Sequence, residues 1–122
     1  MVVDDDPEML SLLNHTLETE GFDTIIVADG DSALNLLERI EPDLIVLDST
    51  MPGMDDFQTL DLMREQSGVP IIMLSSEYEM ESLKKALSLG ADDYIRKPLS
   101  PLSFVARIRA KLRRSRHQVL QT

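Results

Sequence analysis

Short apolar runs alternate with helical stripes along the whole chain. Met1 to Val3, Phe22 to Ala28, Leu44 to Leu47, Ile71 to Leu74 and the pair Tyr94 and Ile95 have the length and apolar character of strands. Two of these runs, Leu44 to Leu47 and Ile71 to Leu74, are apolar without alternation, which indicates burial on both faces, as in a parallel sheet covered by helices. Between them the period changes to that of helices. Met9, Leu10, Leu13 and Leu17 share one face, as do Ala33, Leu34, Leu37 and Ile40, then Phe57, Leu60 and Met63, then Met80, Leu83 and Leu87, and finally Leu102, Val105, Ile108 and Leu112. Punctuation agrees with this reading. Asp6 offers an N-cap and Pro7 the fixed φ of a first helical position, Gly21 and Gly90 close helices, and Pro42 stops one.

Five β/α units with right-handed crossovers fit a doubly wound parallel sheet; a barrel would need eight. The expected architecture is α/β, a five-stranded doubly wound parallel sheet with five helices. A chain of 122 residues, 43% hydrophobic and 28% charged, has the composition of one folded domain. No apolar run approaches the eighteen or so residues of a membrane helix, and no signal-peptide pattern opens the chain, so a cytoplasmic address is expected, with no membrane partner. Zero cysteines exclude disulfides and thiol catalysis. The seven methionines fit the stripes as core filler.

Charge is divided between the two halves. Residues 1–63 carry sixteen acids and one base, Arg39, whereas residues 64–122 carry six acids and eleven bases. The last helix holds Arg107, Arg109, Lys111, Arg113, Arg114 and Arg116 with no acid among them; cations in a last helical turn complement its dipole, which is favoured over contact with nucleic acid.

In open α/β sheets ligands sit beyond the carboxyl ends of the strands, and here each of the first, third, fourth and fifth apolar runs is followed by a polar residue. These are Asp4 and Asp5, Asp48, Ser75, and Lys97 before Pro98. Three carboxylates at one sheet edge call for a hard divalent cation with oxygen ligands, and so small a set suits Mg²⁺ better than Ca²⁺. Asp29-Gly30-Asp31 starts like a calcium loop but lacks its next ligand and reads as a helix cap. A carboxylate such as Asp48 can be a nucleophile towards phosphorus while Lys97 neutralises developing charge, and the Ser75 hydroxyl can bond a phosphoryl oxygen.

Val3-Asp4-Asp5-Asp6, Leu47-Asp48-Ser49-Thr50-Met51-Pro52-Gly53-Met54-Asp55, Leu74-Ser75-Ser76 and Gly90-Ala91-Asp92-Asp93-Tyr94-Ile95-Arg96-Lys97-Pro98 together resemble the receiver domain of two-component response regulators, a flavodoxin- or CheY-like fold. The resemblance covers nearly the whole chain. It implies that Asp48 accepts phosphate from the phosphohistidine of a sensor histidine kinase, with Asp5 as a direct Mg²⁺ ligand, Asp4 acting through water and the Thr50 carbonyl as a further ligand. It also implies Ser75 and Tyr94 as a switch pair, Lys97 as the phosphate-binding cation, and a cis peptide bond before Pro98. Ala106-Arg107-Ile108-Arg109-Ala110 and Arg113-Arg114 look like the OmpR/PhoB class, which implies a homodimer through the fourth helix, fifth strand and fifth helix. The same class implies a receiver over residues 1–114, with residues 115–122 starting a linker to a DNA-binding output domain that is missing here.

Two positions depart from the family. Asp56 stands where the family usually has Gly; a demand for positive φ there would cost ~1 kcal/mol. Ser103 replaces a Glu that would pair with a base such as Lys85 on the fourth helix, leaving Asp92 or Asp93 with Arg107 as the remaining ion pair of that face. The first strand is shorter than the usual ~5 residues. A receiver-shaped interaction module that works without phosphorylation is the alternative that Asp56 keeps open. A haloacid-dehalogenase-like phosphatase, suggested by Asp4-x-Asp6, fails on Glu8 and on the lack of room for a cap domain, and no Gly-rich loop supports nucleotide binding.

Overall fold

The computed structural model describes residues 1–48, 56–76, 80–97 and 100–121, with side chains from residue 57 onward in the second stretch and up to residue 115 in the last. The elements alternate as β1 (Val2–Val3), α1 (Pro7–Thr19), β2 (Ile26–Val27), α2 (Gly30–Leu37), β3 (Ile45–Asp48), α3 (Asp56–Gln66), β4 (Ile71–Ser75), α4 (Met80–Ser88), β5 (Asp93–Arg96) and α5 (Pro101–Gln121). All strand pairs are parallel, in the order β2-β1-β3-β4-β5. The order reverses direction at β1, so the carboxyl ends of β1 and β3 lie at a topological switch point.

The solid apolar strands bury both of their faces. Ile45, Leu47, Ile71 and Met73 join Ala33, Leu60, Met63 and Ala86 in a core under α2, α3 and α4. The alternate residues Val46, Ile72, Leu74 and Ile95 join Leu10, Leu13, Leu17, Phe104 and Ile108 under α1 and α5. A strand repeat of two residues feeds two helical layers, which is why these runs show no polar alternation. The expected caps form: the Asp6 carboxylate accepts from the Glu8 N–H at 3.0 Å, and that of Asp29 from the Ser32 N–H at 2.7 Å.

Four expectations need correction. The second strand spans only Ile26–Val27, because a strand exists where it has a partner, and β1 offers it Val2 and Val3 alone. The stripe Met80, Leu83 and Leu87 does not face the core: Met80 is 62% and Leu87 47% exposed, and Ala86 is the buried residue of α4. On α5, Leu102 is 83% exposed and Phe104 is buried in its place, since 104, 108 and 112 repeat at the helical period and 102 falls on the far side. The basic residues Lys111 to Arg114 do not end their helix, which continues through Gln121 with no base in its last turn.

Asp56 is the first residue of α3, and no described residue other than glycine has a positive φ. The backbone strain foreseen at this position is therefore absent. Among the described residues, no helix is long and apolar enough to cross a membrane.

Candidate functional site

Strand register brings the polar strand ends together. Val3 pairs with Leu47, so the next residues, Asp4 and Asp48, leave adjacent strands at one level. Asp48 pairs with Leu74 and Ser75 with Arg96, and the Lys97 N–H donates to the Ser75 carbonyl at 2.8 Å. Asp4, Asp48 and Ser75 are each 1% exposed, an unusual degree of burial for carboxylates. The Lys97 ammonium donates to Asp48 Oδ2.

The Lys97 ammonium acts on two buried carboxylates, those of Asp48 and Asp4. Asp4 Oδ1 accepts from the Asp6 N–H at 3.0 Å, which ties it to the start of α1, while Asp4 Oδ2 is buried without a hydrogen-bond donor. Its neighbour is the Asp48 carboxyl, another acceptor, so a bond between them requires a shared proton. Burial, and next that carboxyl, push the Asp4 pKa up to about 7; the Asp6 N–H and the Lys97 ammonium pull the other way. An orphaned buried oxygen beside a second carboxylate is a place for a cation. The donor set is all oxygen, which fits Mg²⁺.

The structure thus gathers Asp4, Asp48, Ser75 and Lys97. Asp5 is exposed beside them, and among the described residues no three His, Cys, Asp or Glu side chains form a metal cage. Thr50 and Pro98 lie outside the described residues. Tyr94 pairs with Met73, two residues before Ser75, so by strand alternation Tyr94 and Ser75 emerge on one face, that of α2, α3 and α4. Asp4 and Asp48, two residues after Val2 and Val46, emerge on the α1 and α5 face. Of the ion pairs foreseen for α5, Arg107 meets Asp93 at 3.6 Å within the chain.

Sequence reasoning missed Arg64. Its guanidinium donates to the carbonyls of Gly90, Ser67 and Val69 and to the Asp92 carboxylate, at 2.8 to 3.2 Å. The visible signal was a lone cation on a helix otherwise free of bases, with Gly90 far along the chain.

Residues 1–109 match the family model described as the response regulator receiver domain. The chain is 44% identical over 115 residues to the DNA-binding response regulator MtrA of Mycolicibacterium smegmatis, covering 94% of this chain and 50% of that one. It is 43% identical over 116 residues to the alkaline phosphatase synthesis transcriptional regulatory protein PhoP of Bacillus subtilis, covering 94% and 48%. It therefore spans about half the length of the curated relatives it matches. Among solved structures, the BeF3-activated N-terminal receiver domain of Klebsiella pneumoniae RstA aligns with a TM-score of 0.87 at 35% identity, covering 92% of this chain and 96% of that one. A CheY-like receiver domain protein of Methanospirillum hungatei aligns at 0.90 and 29%, covering 96% and 94%.

Proposed function

This chain belongs to the response regulator receiver domain family, and on that premise we propose that Asp48 is its phosphoacceptor and Lys97 the cation that accompanies the transfer. The observation that carries the reading is the pair of buried carboxylates, Asp4 and Asp48, met by the Lys97 ammonium at the switch point of the sheet. An Asp48 oxygen attacks the phosphorus of a sensor kinase's phosphohistidine, the bond from phosphorus to imidazole nitrogen breaks, and an acyl phosphate remains on Asp48. Lys97, bonded to Asp48 beforehand, is within reach of the phosphoryl oxygens that replace the free carboxylate. Asp4, Asp5 and Asp48, with the Thr50 carbonyl that the family likeness adds, would hold Mg²⁺. That ion supplies positive charge against the carboxylates and the incoming phosphoryl oxygens. Catalysis by this chain is limited to its own phosphorylation and dephosphorylation.

The Ser75 hydroxyl donates to a phosphoryl oxygen, and Tyr94, on the same face, follows it, which resets α4 and β5. This change alters the surface of α4, β5 and α5 through which two copies associate, and it controls a DNA-binding domain like that named in the relatives, in the cytoplasm. The alternative, a receiver-shaped module that works without phosphorylation, is less favoured, because Asp56 begins α3 and no described residue other than glycine has a positive φ.

Incubation with Mg²⁺ and a small phosphodonor should add one phosphoryl group by intact mass, a chelator should prevent it, and Asp48→Asn should take up none. Retained label in that variant would overturn the assignment.

A further inference from the structure

The strand β5 lies at the edge of the sheet with β4 beside it, and of its four residues Ile95 is the fully buried one. Side-chain packing therefore does little to fix how far along β4 it sits. That offset decides where Lys97 stands. The register runs from Ile72 against Asp93 to Ser75 against Arg96, and the Lys97 N–H then donates to the Ser75 carbonyl at 2.8 Å. From there the Lys97 side chain, 18% exposed, carries its ammonium to Asp48 on β3.

At the amino end of β5, Asp92 continues the same register by one step and grips both main-chain groups of Ile71. Its N–H donates to the Ile71 carbonyl and its carboxylate accepts from the Ile71 N–H, both at 2.8 Å. A carboxylate on a rotatable side chain fixes a strand only when it is itself held, and Arg64 of α3 holds it. Arg64 Nη2 donates to the same oxygen, Asp92 Oδ2, at 2.8 Å, while the guanidinium is anchored on the carbonyls of Ser67, Val69 and Gly90 at 2.9 to 3.2 Å. Gly90 leaves room for it: its φ is +110°, and a Cβ there would stand 2.9 Å from Arg64 Cγ.

We propose that Arg64 is a positioning residue for phosphoryl transfer: through Asp92 it fixes β5 along β4, and so sets the Lys97 ammonium against Asp48 at the other end of the strand. This rests on the reading of Asp48 as phosphoacceptor. A strand rises ~3.3 Å per residue, so a slide of a third of a residue at Asp92 reaches Lys97 as about 1 Å, enough to lower a transfer rate by up to ~100-fold.

Trace acylation of the 122-residue chain with acetic anhydride, followed by peptide mass spectrometry, reads Lys97 directly, because an ammonium bonded to Asp48 is slow to be acylated. Arg64→Ala should raise the Lys97 rate by about fivefold and lower the initial rate of phosphoryl uptake from acetyl phosphate and Mg²⁺ by about tenfold. Arg64→Lys, which keeps the charge but loses the fork, should fall between, and it carries the test if the alanine variant does not fold. Leu13→Ala, which empties part of the core under α1 and α5 at a comparable cost in stability, should leave both rates at their wild-type values. An equal rise in Leu13→Ala, or unchanged Lys97 acylation in the Arg64 variants, would overturn the clamp, and faster acylation with undiminished uptake would overturn its part in the transfer. No phosphoryl uptake by the wild-type chain would instead overturn the reading of Asp48, with the acylation pattern still standing.

Discussion

At the carboxyl ends of the strands two buried carboxylates face the Lys97 ammonium, and among the described residues Asp4 Oδ2 has no donor; at the opposite ends the guanidinium of Arg64 reaches four acceptors. Both clusters are made of side chains at strand or helix ends, and both join elements distant in sequence. They differ in whether their polar groups are satisfied. An unsatisfied buried acceptor costs free energy in the folded state and is retained where a ligand can relieve it. A satisfied network costs nothing comparable and adds rigidity. The unsatisfied acceptor and the satisfied network thus sit at opposite edges of one sheet, and α4 spans the distance between them.

The contrast is broken most severely by removing the guanidinium. Arg64→Ala takes the guanidinium from the partly buried carbonyls of Ser67, Val69 and Gly90 and leaves the Asp92 carboxylate with the Ile71 N–H as its remaining donor among the described residues, and should cost about 2–4 kcal/mol in urea unfolding. Gly90→Ala should approach the lower end of that range, because its added Cβ meets Arg64 at 2.9 Å in a backbone conformation with φ +110°. If both variants unfold at the wild-type midpoint, the rigid edge does not exist as described.

The opposite edge should respond with the opposite sign. Asp4→Asn removes a carboxylate that burial holds at a pKa of about 7 against an ordinary 3.8, and should stabilise the metal-free protein at pH 7 by roughly 1–3 kcal/mol. The folded state binds the Asp4 proton more tightly than the unfolded state does. Its contribution is therefore most favourable below pH ~4 and is lost as pH rises towards about 7. The gain in Asp4→Asn over the wild type should accordingly grow from pH 4 to pH 7. Adding Mg²⁺ should raise the wild-type melting temperature more than that of the variant, since the ion relieves the charge the substitution has removed. A gain independent of pH would show that Asp4 is not the titrating group.

These two edges were not equally legible in the sequence. Asp4, Asp48, Ser75 and Lys97 could be placed because each ends an apolar run, and parallel strands deliver such residues to one edge whatever the details of packing. Asp6 and Asp29 were readable as caps because capping is local. The Arg64 cluster was not, since its partners lie 3 to 28 residues away and are mostly main-chain carbonyls, which leave no mark on residue type. The buried faces of some helices were equally obscure. On α4 the larger apolar residues suggest a core stripe, yet the core has room there for Ala86, and Met80 and Leu87 stay outside. The extent of β2 depended on β1, a property of the pair and not of either segment.

The smallest effect sharpens the comparison by using the same backbone conformation in a neutral place. Gly21 closes α1 with φ +90°, close to the value at Gly90, but a Cβ added there finds nothing within 4 Å. Gly21→Ala should therefore cost only the left-handed backbone penalty, about 1 kcal/mol, and leave the phosphorylation response untouched. The difference between the two alanine variants then measures what Arg64 requires of Gly90 beyond its φ. Equal losses in denaturant midpoint would mean that the close approach of the guanidinium contributes nothing and that both glycines serve only to turn the chain.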